Sequence, residues 1–373
     1  MGADAIRWFV PKQQPIRRDF GVLQSFANGR SAEISTRDKA VWPFCVLSEF
    51  SSTSSADNRI LVVAPLSGHF AFILREMVAE LVRKADVSVT DWLNAGFVPL
   101  SEGEFGFDEN IDTIMQSIKR SGPDLHVIAL CQGVVPALAA TALLAQYDPA
   151  NTPRSLILMG GPVDPIANPT RVVRLLRQRS LKWIETNALD WVGPSLPGAE
   201  RRVYPARHQL LALFAYFFRH VMSDGEVLHK VLDDDGLDPA HFPFLELFTA
   251  LMDLPAQYFL ENIQKVFLDR EPWTIGLNWY GKPVDFGAIQ DTALMTIEGE
   301  LDDIAAPGQT SAAHRLCPNI PDSQRHKLIL DGAGHFSLFY GKVCRYRVVP
   351  EITAFMKFAN DTRRRGAHRE ASL

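Results

Sequence analysis

The chain of 373 residues is poor in cysteine: it has four, Cys45, Cys131, Cys317 and Cys344. They lie far apart, no two form a C-x-x-C pair, and no H-E-x-x-H run occurs, so no metal site is expected. Positive charge is not in excess. The formal net charge is −5 and the pI is near 6.1, which gives no electrostatic footprint for a nucleic-acid partner. No apolar run reaches the length of a membrane span. Residues 1–20 carry Lys12, Arg17 and Arg18 and lack the apolar core of a signal peptide. Together these absences lead to the expectation of a cytoplasmic protein with reduced thiols. No internal repeat is visible. What the chain has in quantity is apolar surface: 47% of residues are hydrophobic, enough for a sizeable core in one large or two modest domains.

One run organises the rest. Leu125-His-Val-Ile-Ala-Leu130 is apolar and β-branched, as a buried parallel strand requires. It passes at Cys131-Gln-Gly133 directly into Val134-Val-Pro-Ala-Leu-Ala-Ala140, which is rich in helix formers. Only a sharp turn joins strand to helix without a polar loop, and Cys131 sits on it. This is the layout of a nucleophile elbow, with small residues Ala129 and Gly133 two positions on either side and a thiol as nucleophile. The helix N-terminus behind Cys131 favours both a thiolate and a developing oxyanion. Taken alone, the run fits a buried core cysteine equally well.

Along the chain, residues 1–55 are expected to form an N-terminal arm packed on the main sheet, with a strand starting at Phe9-Val-Pro11 and a polar loop from Ser48 to Asn58. Strands are read at Arg59–His69, ending in a turn, and at Ala85–Thr90, Leu125–Leu130 and Arg154–Pro162. Helices are read at Ala71–Val82 and at Phe107–Ser121, the latter with an apolar stripe of Ile111, Ile114, Met115 and Ile118. This alternation predicts an α/β fold with a doubly wound, mostly parallel sheet over residues 56–169 and 285–360. From 170 to 284 the pattern becomes helices and loops with no convincing strand and many aromatics. The plain reading is a helical layer with its own core. The sharper one is a lid inserted between strands, in which Trp183, Trp191, Phe214, Phe217 and Phe218 face the substrate. Strand pattern returns at Thr292–Glu298 and His326–Asp331, and Val348–Ala359 reads as a closing helix. The basic stretch 361–373 is expected to be a disordered tail.

A thiol needs a base, and the base needs a carboxylate to orient it. In α/β-hydrolases these follow in the order nucleophile, acid, histidine, each after a strand. Here Glu298-Gly-Glu-Leu-Asp302-Asp303 and Asp331-Gly-Ala-Gly-His335 follow the last two strands. The expected triad is Cys131, Asp302 and His335, with Asp303 as the alternative acid. The oxyanion donors are expected to be the backbone N–H of Gln132 and those of Leu66 or Ser67 in the loop after the first strand. His69 and His126 are further candidate bases, although His126 lies within the strand below Cys131.

Taken together, these segments resemble the intracellular polyhydroxyalkanoate depolymerases from about Ile60 to Phe358. The resemblance is carried by Ala64-Pro-Leu-Ser-Gly-His-Phe70, Thr90-Asp-Trp92, Leu130-Cys-Gln132, Leu158-Met-Gly-Gly-Pro162, Asn168-Pro-Thr170, Val203-Tyr-Pro205, Met252-Asp-Leu-Pro-Ala256, Glu298-Gly-Glu-Leu-Asp-Asp-Ile304, Gly308-Gln-Thr310 and Gly334-His335. It implies an α/β-hydrolase fold, a cysteine nucleophile at Cys131, a base at His335 and an acid at Asp302. The chain departs from that pattern at Gly133, where a proline often follows Cys-Gln, at Ala206-Arg207 after Tyr-Pro, and at Phe336–Gly341 after the histidine. These changes bear on the mouth and lid, hence on substrate side chain and length, and leave the triad untouched.

What the resemblance implies is hydrolysis of poly(3-hydroxybutyrate)-type storage polyester with no cofactor, on or near the polymer granule. A synthase-like acyltransferase would use the same triad for opposite flux, and a granule-binding protein with a dead site is the rival from another class. Related synthases usually keep a glycine at the position of Ala129 and a histidine at that of Asp303. A non-catalytic protein has no need of all three triad residues.

Overall fold

The computed structural model describes residues 15–21, 24–27, 30–52, 58–222, 230 and 244–370. The strand expected at residues 9–11 lies outside them. The main sheet starts with β1 (Gln24–Ala27), β2 (Arg30–Trp42) and β3 (Cys45–Ser52), joined in antiparallel fashion. The arm is thus part of the sheet, and β3 occupies the first part of the stretch read as a polar loop. Then come β4 (Arg59–Val63), β5 (Asp86–Trp92), β6 (Leu125–Leu130) and β7 (Ser155–Met159).

Among the described residues, the strands between β7 and the next long strand are all short pairings. They are β8 (Asp190–Trp191), β9 (Arg202–Tyr204) and β10 (Leu254–Pro255) in one small sheet, and β11 (Asn278–Trp279) with β12 (Lys282–Pro283) in a hairpin. A strandless insertion was expected here. Two- and three-residue strands are too short to leave a periodic signal in sequence. Two long strands, β13 (Ala293–Gly299) and β14 (Arg325–Leu330), complete the main sheet.

The nine-stranded order is β1-β2-β3-β5-β4-β6-β7-β13-β14. The pairs from β5 to β14 are all parallel. The chain winds outward from β4 in one direction through β5 and in the other through β6, so the winding reverses between β4 and β6. In such sheets ligands bind outside the carboxyl ends of the strands at that reversal. Cys131 follows β6 and the Pro65–His69 loop follows β4, so both stand there.

The helices follow from simple features of the sequence. Phe107–Ser121 has Asp108 and Glu109 in its first turn and Lys119 and Arg120 in its last, complementing the helix dipole. Its Glu109 carboxylate accepts the Gly106 N–H at 2.7 Å, and Phe107, Ile111, Ile114 and Ile118 are buried on one face. Val134–Tyr147 is apolar all round and is covered on nearly every side. The closing helix runs Val349–Glu370, so the stretch 361–370, expected to be disordered, continues its backbone. Charged residues do not stop a helix that a buried stripe of Ile352, Phe355, Met356 and Ala359 has already nucleated. Among the described residues no helix is long and apolar enough to cross a membrane.

Candidate active site

Leu130 is still extended, with φ −120° and ψ 143°. At Cys131 the chain reverses into the left-handed region, φ +48°, and the helix begins three residues on. A non-glycine residue pays strain to sit there, as nucleophile elbows do. The turn is held from both sides. A Cβ on Gly133 would stand 3.1 Å from Val63 O, and one on Gly161 would stand 2.3 Å from Val134 Cβ and 2.8 Å from Cys131 O. The ends of β4 and β7 therefore pinch the elbow, and glycine is what permits the approach. Cys131 is partly exposed, whereas Cys45, Cys317 and Cys344 are buried. Burial pushes those three thiols up, Cys317 to about 12.

His335 and Asp302 meet at the same edge. The Nδ1–H of His335 donates to Asp302 Oδ2 at 2.7 Å, and both residues are buried. The other carboxylate oxygen, Oδ1, accepts the N–H groups of Ile304 (2.9 Å) and Ala305 (2.8 Å). Burial alone would pull the imidazole down. The Asp302 carboxylate and the Cys131 sulfur outweigh it and hold His335 well above its ordinary range. Cys131, His335 and Asp302 are thus one connected set. Gly160, with φ +52°, lies beneath it: a Cβ there would stand 3.3 Å from Asp302 Oδ2 and 3.3 Å from His335 Cε1.

The alternative acid faces elsewhere. Asp303 accepts the Tyr216 hydroxyl at 2.7 Å, pairs with Arg219, and lies 3.3 Å from His220 Nε2. Burial raises its pKa, but Tyr216 and Arg219 outweigh that and leave it below the usual carboxylate range. Its partners all belong to the helix Ala206–Met222. The other candidate bases are also occupied. His69 bonds Phe248 O at 2.9 Å, and His126 bonds Ser155 Oγ at 2.8 Å. Burial lowers each to about 4.

The loop after β4 is fixed along its length. Ala64 N–H donates to Thr90 Oγ1 at 3.0 Å, Phe70 N–H to Ala250 O at 3.2 Å, and Met252 N–H to Gly68 O at 2.7 Å. Between those ties the N–H groups of Leu66 and Ser67 find no acceptor among the described residues, and neither does that of Gln132. These are the three donors expected for the oxyanion.

The five aromatics expected to face the substrate divide into two groups. Trp183, Trp191 and Phe218 are 47%, 61% and 64% exposed, whereas Phe214 and Phe217 are half-buried. The rings that flank His335 are others. Phe336 and Phe339 stand edge-on to it, with centroids 5.6 and 5.9 Å away, and Phe244 and Phe248 pack on Phe336.

Several residues that the motif reading left without a role have one here. Glu298 closes β13 with a buried carboxylate that accepts the N–H groups of Gly308 (2.9 Å), Thr310 (2.8 Å) and Ser311 (3.0 Å). This folds the loop that carries Asp302. Thr310 Oγ1 in turn accepts Gly161 N–H at 2.8 Å and donates to Gly161 O at 2.9 Å, tying that loop to the glycines under the His335–Asp302 pair. The signal in sequence was a glutamate ending an apolar strand, a place where a charge needs a dedicated set of donors. Asn262 Nδ2 donates to Gln132 Oε1 at 3.2 Å. No spacing rule links residues 132 and 262, and that contact had no sequence signal.

Among solved structures, an epoxide hydrolase from Bacillus megaterium aligns with a TM-score of 0.51 at 13% identity, over 85% of this chain and 99% of that one. The epoxide hydrolase VrEH1 from Vigna radiata aligns with a TM-score of 0.50 at 13% identity, over 89% and 98%. At such identity the likeness is one of fold, and it is the α/β-hydrolase fold. No match was found among curated proteins. The family model described as PHB de-polymerase C-terminus matches residues 160–360, more than half of the 373-residue chain and the part that carries Asp302, His335 and the insertion. The chain is therefore an ester hydrolase of the α/β-hydrolase fold and belongs to the PHB depolymerase family.

Proposed function

We propose that this chain hydrolyses poly(3-hydroxybutyrate)-type storage polyester through Cys131, His335 and Asp302, by way of a thioester acyl-enzyme. The observation that carries the reading is a strained, partly exposed cysteine set beside a buried, hydrogen-bonded His–Asp pair whose imidazole the cysteine sulfur helps to hold above its ordinary range. His335 takes the proton of Cys131, and the sulfur attacks the ester carbonyl. The negative oxygen is received by the N–H groups of Gln132 and of Leu66 or Ser67. Collapse of that intermediate breaks the C–O bond, and His335 returns the proton to the leaving hydroxyl. Water, deprotonated by the same imidazole, then attacks the thioester, releases the acid and restores the thiol. No metal or organic cofactor enters these steps.

The residues 170–284 act in this reading as a lid that also meets the polymer. Support comes from its outer side. Leu211, Ala215, Phe218 and Met222 are exposed along one face of the helix Ala206–Met222 at helical spacing, and Trp183 and Trp191 are exposed on neighbouring segments. Exposed apolar faces of this kind mark contact with an apolar partner, and an amorphous polyester granule is such a partner. The granule and its oligomers are therefore the proposed substrate, and the granule surface the proposed location.

The test is incubation of pure protein with native, amorphous polyester granules, with soluble hydroxy acids as the readout. Wild type should release them and Cys131→Ala should release none while keeping its fold. Turnover by Cys131→Ala close to wild type would remove Cys131 from the mechanism. Acyl transfer from a thioester donor with no hydrolysis would replace the depolymerase reading with that of an acyltransferase.

A further inference from the structure

Tyr258 lies in the helix Ala256–Asn262, which starts directly after β10. Its ring is 1% exposed, stacked on Phe107 at 6.4 Å between centroids and 11° between planes, with Phe105 at 6.3 Å. Its hydroxyl is buried as well and has no hydrogen-bond partner among the described residues. An unpaired buried hydroxyl is disfavoured, because water's hydrogen bonds are lost and nothing replaces them. A phenylalanine would fill the same stack without that cost, so the fold alone gives no reason for the oxygen.

The surroundings point to a role at the elbow. One turn along the same helix face, Asn262 holds the side chain of Gln132, the residue after Cys131. The helix therefore lies against the elbow, with Tyr258 and Asn262 on one side of it. The Phe107 and Phe105 rings fix the phenol ring in place. Burial raises the hydroxyl's pKa far above its usual range, and the nearby Cys131 sulfur raises it further, so it remains a neutral donor at any working pH.

We propose that Tyr258 is a further catalytic residue whose hydroxyl donates a hydrogen bond to the ester being cleaved at Cys131. The inference rests on Cys131 as the nucleophile. No proton changes hands: the phenol O–H bond stays intact, and its dipole stabilises the negative charge that appears on the ester oxygen as the sulfur attacks. The donor is preorganised, because its ring is packed before substrate arrives.

The experiment compares Tyr258→Phe with wild type and with Cys131→Ala on a soluble p-nitrophenyl ester. Three quantities are measured: kcat and KM, the thermal midpoint, and the rate of Cys131 alkylation by iodoacetamide. Tyr258→Phe should lose about 100-fold in kcat with little change in KM, the loss typical of one oxyanion donor. Its thermal midpoint should be unchanged or higher, because an orphan hydroxyl has been removed from the interior. Its alkylation rate should equal that of wild type. Retention of kcat within twofold would overturn the proposal. So would a fall in kcat matched by an equal fall in alkylation, which would assign the hydroxyl to the thiol, or one explained by a lowered midpoint, which would make it structural. Activity in Cys131→Ala would instead overturn the nucleophile. An inactive Cys131→Ala beside a fully active Tyr258→Phe would sink this inference alone.

Discussion

Asp302→Asn is the substitution whose consequence can be worked most fully from the structure. Asp302 Oδ1 accepts two backbone N–H groups, from Ile304 and Ala305, so an asparagine must keep its carbonyl oxygen there. Its NH₂ then occupies the position of Oδ2, 2.7 Å from His335 Nδ1, and can only donate. The imidazole must turn that nitrogen into an acceptor, which moves its proton to Nε2. An Nε2–H cannot accept the proton of Cys131. The same change removes the carboxylate that holds His335 above its ordinary range. In serine triads the equivalent tautomer error costs about 10⁴ in kcat, or about 5.5 kcal/mol of transition-state stabilisation. Asp303→Asn should cost less than about tenfold, since it keeps an acceptor for Tyr216 and touches neither His335 nor Cys131. The assay is kcat of both variants on a soluble ester at matched folding. A larger loss in Asp303→Asn than in Asp302→Asn would refute the reasoning and move the acid by one residue.

Other outcomes follow from the same structure. Gly160→Ala should lower kcat by at least tenfold, because its φ of +52° disfavours a side chain and the new methyl would stand 2.9 Å from Leu338 Cδ1 and 3.3 Å from both members of the His–Asp pair; wild-type kinetics would show that the pair tolerates displacement. Stability in urea should rise with pH from 4.5 to about 6.5: burial holds His69, His126 and His314 near 4 and Asp91 near 7, so unfolding takes up protons at three histidines and releases one at the aspartate. That net uptake gives a slope on the order of 2 kcal/mol per pH unit around pH 5.5. Above 6.5 the sign reverses, because His335 keeps its proton longer when folded than unfolded; a stability maximum below pH 5 would contradict this. Alanine at Trp183, Trp191 or Phe218 should weaken granule binding by tens-fold at most, about 2–3 kcal/mol per buried aromatic, and leave soluble-ester cleavage near wild type. Equal losses on both substrates would remove these residues as polymer contacts.

The sheet and the proposed triad stand out in the sequence for a shared reason. Long parallel strands leave unbroken apolar runs such as Leu125–Leu130, and the candidate catalytic groups follow them on short loops at fixed places in the order of the chain. Helix Phe107–Ser121 was read to the residue because its charges and apolar stripe agree. The insertion was less legible. Strands of two or three residues have no period, and contacts such as Asn262 to Gln132 join residues 130 positions apart with no local pattern. The aromatics show the same limit. Composition marked 170–284 as unusual, but Trp191 at the surface and Tyr258 in the interior look alike in sequence, and only packing separates them.

The pair Asp302-Asp303 shows how such packing divides labour between neighbours. The two carboxylates leave the same turn in different directions. Asp302 is fixed from within the core: its own loop supplies two N–H groups, and Glu298 folds that loop through three more. Asp303 is fixed from outside, by Tyr216, Arg219 and His220 of a single helix in the insertion. None of the bonds that orient Asp302 involves that helix. Displacing it would break the contacts of Asp303 and leave the His335–Asp302 hydrogen bond with all its supports. The structure thus lets the insertion be anchored one residue away from the acid without making the geometry of the acid depend on the anchor. This is why the two asparagine substitutions should differ by about three orders of magnitude although the residues are adjacent in sequence.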